Sequence, residues 1–90
     1  MLDIVLSNKF KKDLRLAAKR NYNIDLLDEV VQMLAAGKQL APKYKDHELT
    51  GNYIGFRECH IQPDWLLVYR IHEDRLILFL SRTGTHSDLF

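Results

Sequence analysis

Beyond a short opening strand, the hydrophobic period of this chain changes once, near His47. Before that point apolar residues recur about every four positions, and after it about every two. Helices in the first half and strands in the second therefore bound the fold. Leu2, Ile4 and Leu6 alternate with Asp3 and Val5 as a short opening strand. Ser7 offers a hydroxyl to cap the helix that follows, whose apolar residues are Phe10, Leu14, Ala17 and Ala18. This helix should end near Arg20-Asn21. Asn23 or Asp25 can cap a second helix, with Leu27, Val30, Val31 and Leu34 on its apolar face and Gly37 as its stop. A short connection makes the two an antiparallel hairpin. After a loop from Lys38 to Asp46, with Pro42 forcing extended backbone around it, three β-rich runs follow: Tyr53–His60, Trp65–Ile71 and Leu76–Arg82. Gly51-Asn52, Gln62-Pro63-Asp64 and Glu73-Asp74 mark the turns, and such short connections favour antiparallel pairing. The expectation is one α+β domain over residues 1–90, β-α-α-β-β-β, with an antiparallel sheet and both helices on one face.

One feature does not fit a sheet with a single wet face. Trp65–Ile71 and Leu76–Leu80 are apolar on both parities. Either the second face curls into a small core of its own, or something covers it.

Composition excludes several classes. A single cysteine, Cys59, rules out a disulfide scaffold or a four-cysteine zinc site and fits a reducing cytosol. No apolar run approaches the roughly 18 residues of a membrane span, and the N-terminus lacks the features of a signal peptide. A soluble intracellular, cytoplasmic protein without a membrane partner is expected, and a chain of 90 residues leaves little space for a large cofactor. The net charge of +1 hides an asymmetry. Residues 1–45 hold nine Lys/Arg against five Asp/Glu, while residues 46–90 hold four against seven. Lys9, Lys11, Lys12, Arg15, Lys19 and Arg20 form a stripe opposed only by Asp13. It is either a solvated helix face or a surface for phosphates or an acidic protein.

Three of the four histidines sit in dense settings. His47 ends Lys43-Tyr44-Lys45-Asp46-His47, His60 ends a strand four residues before Asp64, and His86 lies just beyond the last strand in Thr83-Gly84-Thr85-His86. In a three-stranded meander these points can converge, whereas His72 falls in a hairpin turn. Imidazoles exchange protons near neutral pH. RNA carries its own nucleophile, the 2′-hydroxyl, so cleavage needs a base, an acid and cations for the phosphate, and no metal. Lys45, Arg57 and Arg82 are candidates for the phosphate, and Tyr44 and Phe90 for stacking on bases. The alternative is that these histidines are structural. A metal site from His47, His60, Asp64 and Cys59 lacks the paired spacing of zinc motifs. Cys59 points to the opposite sheet face from His60, which disfavours a cysteine nucleophile.

Tyr44-Lys45-Asp46-His47-x-Leu49-x-Gly51, then Arg57-x-x-His60-x-x-Pro63-Asp64-Trp65-x-Leu67-x-Tyr69, then Arg82-Thr83-Gly84-Thr85-His86-Ser87-x-Leu89-Phe90, resemble the YafQ branch of the RelE/ParE toxin superfamily. The resemblance extends to the order of elements. It implies a RelE-like fold and a bacterial type II toxin that cleaves messenger RNA on the ribosome. It also implies silencing by a small acidic antitoxin of the DinJ/RelB kind, with operator DNA reached through the antitoxin complex. The acid/base set falls on His47, His60, Asp64 and His86, on the concave side of the sheet. The aromatic falls on Phe90 and the strand-end arginine on Arg82, with no metal and no cofactor. The stripe Lys9, Lys11, Lys12, Arg15, Lys19 and Arg20 would face ribosomal RNA. Glu58 stands where relatives have aspartate, which leaves its role open. ParE-like members that poison DNA gyrase are the alternative, as is a plain interaction module.

Overall fold

A computed structural model describes all 90 residues. Its elements are β1 (Asp3–Leu6), α1 (Asn8–Lys19), α2 (Ile24–Ala35), β2 (His47–Glu48), β3 (Arg57–Gln62), β4 (Trp65–His72), β5 (Ile77–Gly84) and α3 (His86–Leu89). The Ser7 side chain accepts the Phe10 N–H at 2.9 Å and donates to the Ser81 carbonyl at 2.6 Å, so one cap also ties α1 to β5. Asn23 caps α2 through the Asp25 N–H. Both helices end in the same way. The N–H groups of Asn21 and Tyr22 reach Ala18 and Ala17, and those of Gly37 and Lys38 reach Leu34 and Met33. This is the paired closure that needs a left-handed residue after the cap, supplied by Asn21 and Gly37 at φ 60° and 75°.

The strands run in the order β1-β5-β4-β3-β2. The sheet is not wholly antiparallel, as the short connections suggested: β1 lies parallel to β5, with Asp3 opposite Ile77 and Leu6 opposite Leu80. β2 to β5 reverse direction at each step, and β1 enters beside the last of them with the same heading. The expected strand from Tyr53 begins only at Arg57. Gly51–Tyr53 closes as a 3₁₀ turn instead, and a two-residue strand, His47–Glu48, pairs ahead of it. β5 runs on to Gly84, and α3 was not foreseen.

Phe10, Ala17, Leu27, Val30, Val31, Leu34 and Ala35 of the helices pack on Cys59, Ile61, Trp65, Leu67, Tyr69, Leu78 and Leu80 of the sheet. The opposite face has its own core. Leu66 and Val68 bury against Leu89 of α3, with Leu49, Tyr53 and Phe56 packed around them. Trp65 to Tyr69 are therefore all buried, which explains the apolar runs on both parities.

Candidate active site

The sheet register brings the histidines together. Leu66 on β4 faces His60 on one side and Gly84 on the other, so β3 and the end of β5 deliver His60 and the start of α3 to one place. His47 is opposite Glu58, two residues from His60 on the same strand face. The imidazole centroids of His47 and His60 are 6.5 Å apart, and those of His60 and His86 are 5.7 Å apart. Asp64, in the β3–β4 turn, accepts the His86 backbone N–H at 3.0 Å and its ring Nδ1 at 2.7 Å. These two contacts, the backbone one foremost, hold the Asp64 carboxyl below the usual carboxylate range. His72 is at the far end of β4, paired with Ile77.

α3 presents His86 on a fixed footing. Thr85 and Asp88 form a capping box, Leu89 is buried, and Arg20 donates two hydrogen bonds to Asp88. A Cβ on Gly84, at φ 157°, would lie 3.0 Å from the Asp88 side chain, so this turn favours glycine. Phe90 is 60% exposed and meets Tyr53 edge to face at 5.4 Å.

Glu58 is the residue that sequence reasoning left open. It is 6% exposed, and its Oε1 lies 3.6 Å from His60 Nε2 and 3.8 Å from His47 Nε2. The signal was its i, i+2 spacing from His60 on one strand. One ligand atom from each of Glu58, His60 and His86 falls within 4.8 Å of the others, a carboxylate–imidazole set of the kind that divalent zinc or copper accepts. Cys59 and Asp64 are not part of that set. Burial, foremost, pushes the Cys59 thiol up to about 12, so it is no nucleophile.

The arginines are less free than their positions suggested. Arg82 donates through Nε and Nη2 to Asp13, at 2.7 and 3.1 Å. Arg57 donates to Asp46 through Nε and Nη2 and faces Glu48 with Nη1. Arg20 is held by Asp88. Lys9, Lys11, Lys12, Arg15 and Lys19 are all exposed on α1. Lys45 is exposed on the loop before β2, and with Lys43, Tyr44, Gln62 and Pro63 it lines a cleft of about 370 Å³ that opens beside His60.

The family model described as the bacterial toxin of type II toxin-antitoxin system, YafQ, matches residues 2–90. The chain belongs to the YafQ family. The mRNA interferase toxin YafQ of Escherichia coli K12 is 40% identical over 89 residues, covering 98% of this chain and 95% of that one. Among solved structures, a metal-bound toxin from Helicobacter pylori is 52% identical, with a TM-score of 0.95 over the whole of both chains. The YafQ of an E. coli DinJ–YafQ complex is 37% identical at a TM-score of 0.91, covering 100% of this chain and 99% of that one. The YafQ-family fold is thus the one expected from the order of elements, with the mixed sheet as its amendment.

Proposed function

We propose that this YafQ-family toxin is a ribosome-associated endoribonuclease, an mRNA interferase, held silent by a small acidic antitoxin of the DinJ kind. The observation that carries this reading is the hydrogen bonding of two histidines. His47 Nδ1 lies 2.7 Å from the Lys45 carbonyl, and a carbonyl only accepts, so Nδ1 holds a proton and, in the neutral ring, Nε2 carries the lone pair. His86 likewise gives Nδ1–H to Asp64, which leaves Nε2 as the nitrogen available to a reacting group. His47 Nε2 is then the base that removes the 2′-hydroxyl proton. His86, with the Asp64 carboxylate beside it to balance an imidazolium, is the acid that protonates the leaving 5′-oxygen. A 2′-O–P bond forms and the P–O5′ bond breaks, giving a 2′,3′-cyclic phosphate and a 5′-hydroxyl. His60, backed by Glu58, lies between the two and balances charge on the phosphorus. Lys45 and the Arg82 Nη1 edge left free by Asp13 meet the phosphate, and Phe90 stacks on a base. The α1 stripe, less Arg20, follows ribosomal RNA.

In this mechanism side chains supply acid, base and countercharge. The H. pylori relative is described as metal-bound; a divalent ion in this chain would sit on Glu58, His60 and His86, and would take from proton transfer a ring nitrogen of His86, the acid. Added zinc or copper is therefore expected to inhibit. The DinJ complex of the E. coli relative supports an antitoxin partner, and operator DNA would be reached through that complex.

The test is translation of a defined messenger with and without the protein, mapping cut ends in the presence of a chelator that takes zinc and copper but leaves the ribosome its magnesium. Cleavage should persist, with 5′-hydroxyl downstream fragments. Loss with that chelator, or a 5′-phosphate, would overturn the mechanism. A messenger left intact while growth still stops would point to a gyrase-poisoning toxin instead. Harmless accumulation in a bacterium would point to an interaction module.

A further inference from the structure

His47 stands on a strand of two residues, its side chain 50% exposed, at the end of a surface loop. Little in that setting would define its ring. Its predecessor, Asp46, is tied down by three side-chain hydrogen bonds. Asp46 Oδ1 accepts the Tyr69 hydroxyl at 2.6 Å, and its two oxygens accept Arg57 Nε and Nη2 at 3.4 and 3.2 Å. Tyr69 and Arg57 are direct cross-strand partners on β4 and β3. Tyr69 is 1% exposed within the main core, so its hydroxyl is carried on a rigid mount. Burial, and then Asp46, push that phenol well above its ordinary range, which keeps it protonated as a donor.

Side chains alternate along an extended chain. Asp46 reaches Tyr69 on the helix-covered side of the sheet, and His47 pairs with Glu58 on the other. Lys45, at φ 49° and ψ 42°, turns its carbonyl back to His47 Nδ1. Holding Asp46 therefore holds both the strand that carries His47 and the carbonyl that orients its ring.

We propose that Asp46, Tyr69 and Arg57 form a clamp that positions His47 from the opposite face of the sheet, so that Arg57 is a positioning residue and not a phosphate ligand. Its kinetic consequence rests on the nuclease reading above; its effect on the His47 ring does not. The rival assignment is the one residue type alone suggests, an arginine that binds RNA.

The imidazole tautomers of the free protein can be read by long-range proton–nitrogen NMR in wild type, Tyr69→Phe and Arg57→Ala, at a temperature where circular dichroism shows all three folded. Wild-type His47 should carry its proton on Nδ1. Both variants should move His47 toward a mixture while His72 stays unchanged. Single-turnover cleavage at saturating protein should fall by about 10-fold or more in each variant, the scale of a misplaced reacting group. Ribosome affinity should hold, and Arg57→Lys should restore part of the rate. The clamp is wrong if the His47 signature is the same in all three proteins. It is also wrong if Arg57→Ala weakens binding and lowers its salt slope by about one while the saturated rate survives. Wild type that cuts no RNA yet shows the tautomer change would overturn the nuclease reading and leave the clamp standing.

Discussion

Asp64 holds His86 twice, through the backbone N–H at 3.0 Å and the imidazole Nδ1 at 2.7 Å. The carboxylate sits in the β3–β4 turn and the histidine opens α3, 22 residues later in the chain. One side chain thereby ties the first residue of the helix to the β3–β4 turn and fixes which ring nitrogen is left for other partners.

His86→Ala should lose at least ~100-fold in single-turnover cleavage, the scale for removing a positioned acid. Asp64→Asn should lose less, about 10-fold, because its amide oxygen can still accept from Nδ1 but no charge remains to balance an imidazolium. His72→Ala should cut at the wild-type rate. Equal, mild losses in all three proteins would mean the histidines are structural.

Glu58→Gln preserves shape and removes the charge 3.6 Å from His60 and 3.8 Å from His47. Cleavage at saturation should fall by about 10-fold or more, with ribosome affinity intact. Inhibition by zinc should weaken in the same variant, since one of its three ligands becomes a poor one. A full rate in Glu58→Gln would remove Glu58 from the mechanism.

The Arg20 hydrogen bonds, foremost, hold the Asp88 carboxyl well below its ordinary range. A depressed carboxyl contributes stability that is present above its unfolded value, about 3.9, and is lost as pH falls through the folded one. Arg20→Gln should therefore melt below wild type at pH 6–7, with the gap closing toward pH 2. A gap that does not depend on pH would show that Arg20 acts through packing alone.

Thr83 joins two buried polar groups. Trp65 Nε1–H donates to its hydroxyl at 2.9 Å, and the hydroxyl donates to the Leu66 carbonyl at 2.7 Å. Thr83→Val is close in volume and orphans both partners. It should cost about 1–3 kcal/mol by urea unfolding, whereas Thr83→Ser should cost less. A neutral Thr83→Val would mean water or a shifted Trp65 satisfies them.

Lys11 and Lys12 are exposed on α1 and lie outside every ion pair of the structure. Reversing both to glutamate should weaken ribosome association and flatten its salt dependence, while cleavage at saturating protein survives. A lost rate at saturation with unchanged affinity would contradict a binding role.

What the sequence determined by itself is what local chemistry decides. The period change near His47, the caps at Ser7 and Asn23 and the stop at Gly37 depend on neighbours a few residues away, and they appear where the pattern puts them. The candidate histidines and Asp64 were legible for the same reason, as residue types grouped at strand ends and in a family pattern. Tertiary structure alone decided the rest. The parallel entry of β1 beside β5, and the burial of the second face by Leu89, depend on pairings dozens of residues apart. The arginines show the limit most clearly. Arg20, Arg57 and Arg82 read alike in the sequence as cations for RNA, yet they meet Asp88, Asp46 and Asp13 across 68, 11 and 69 residues. A guanidinium takes whichever carboxylate the folded chain brings within its reach, and no local pattern records which one that will be.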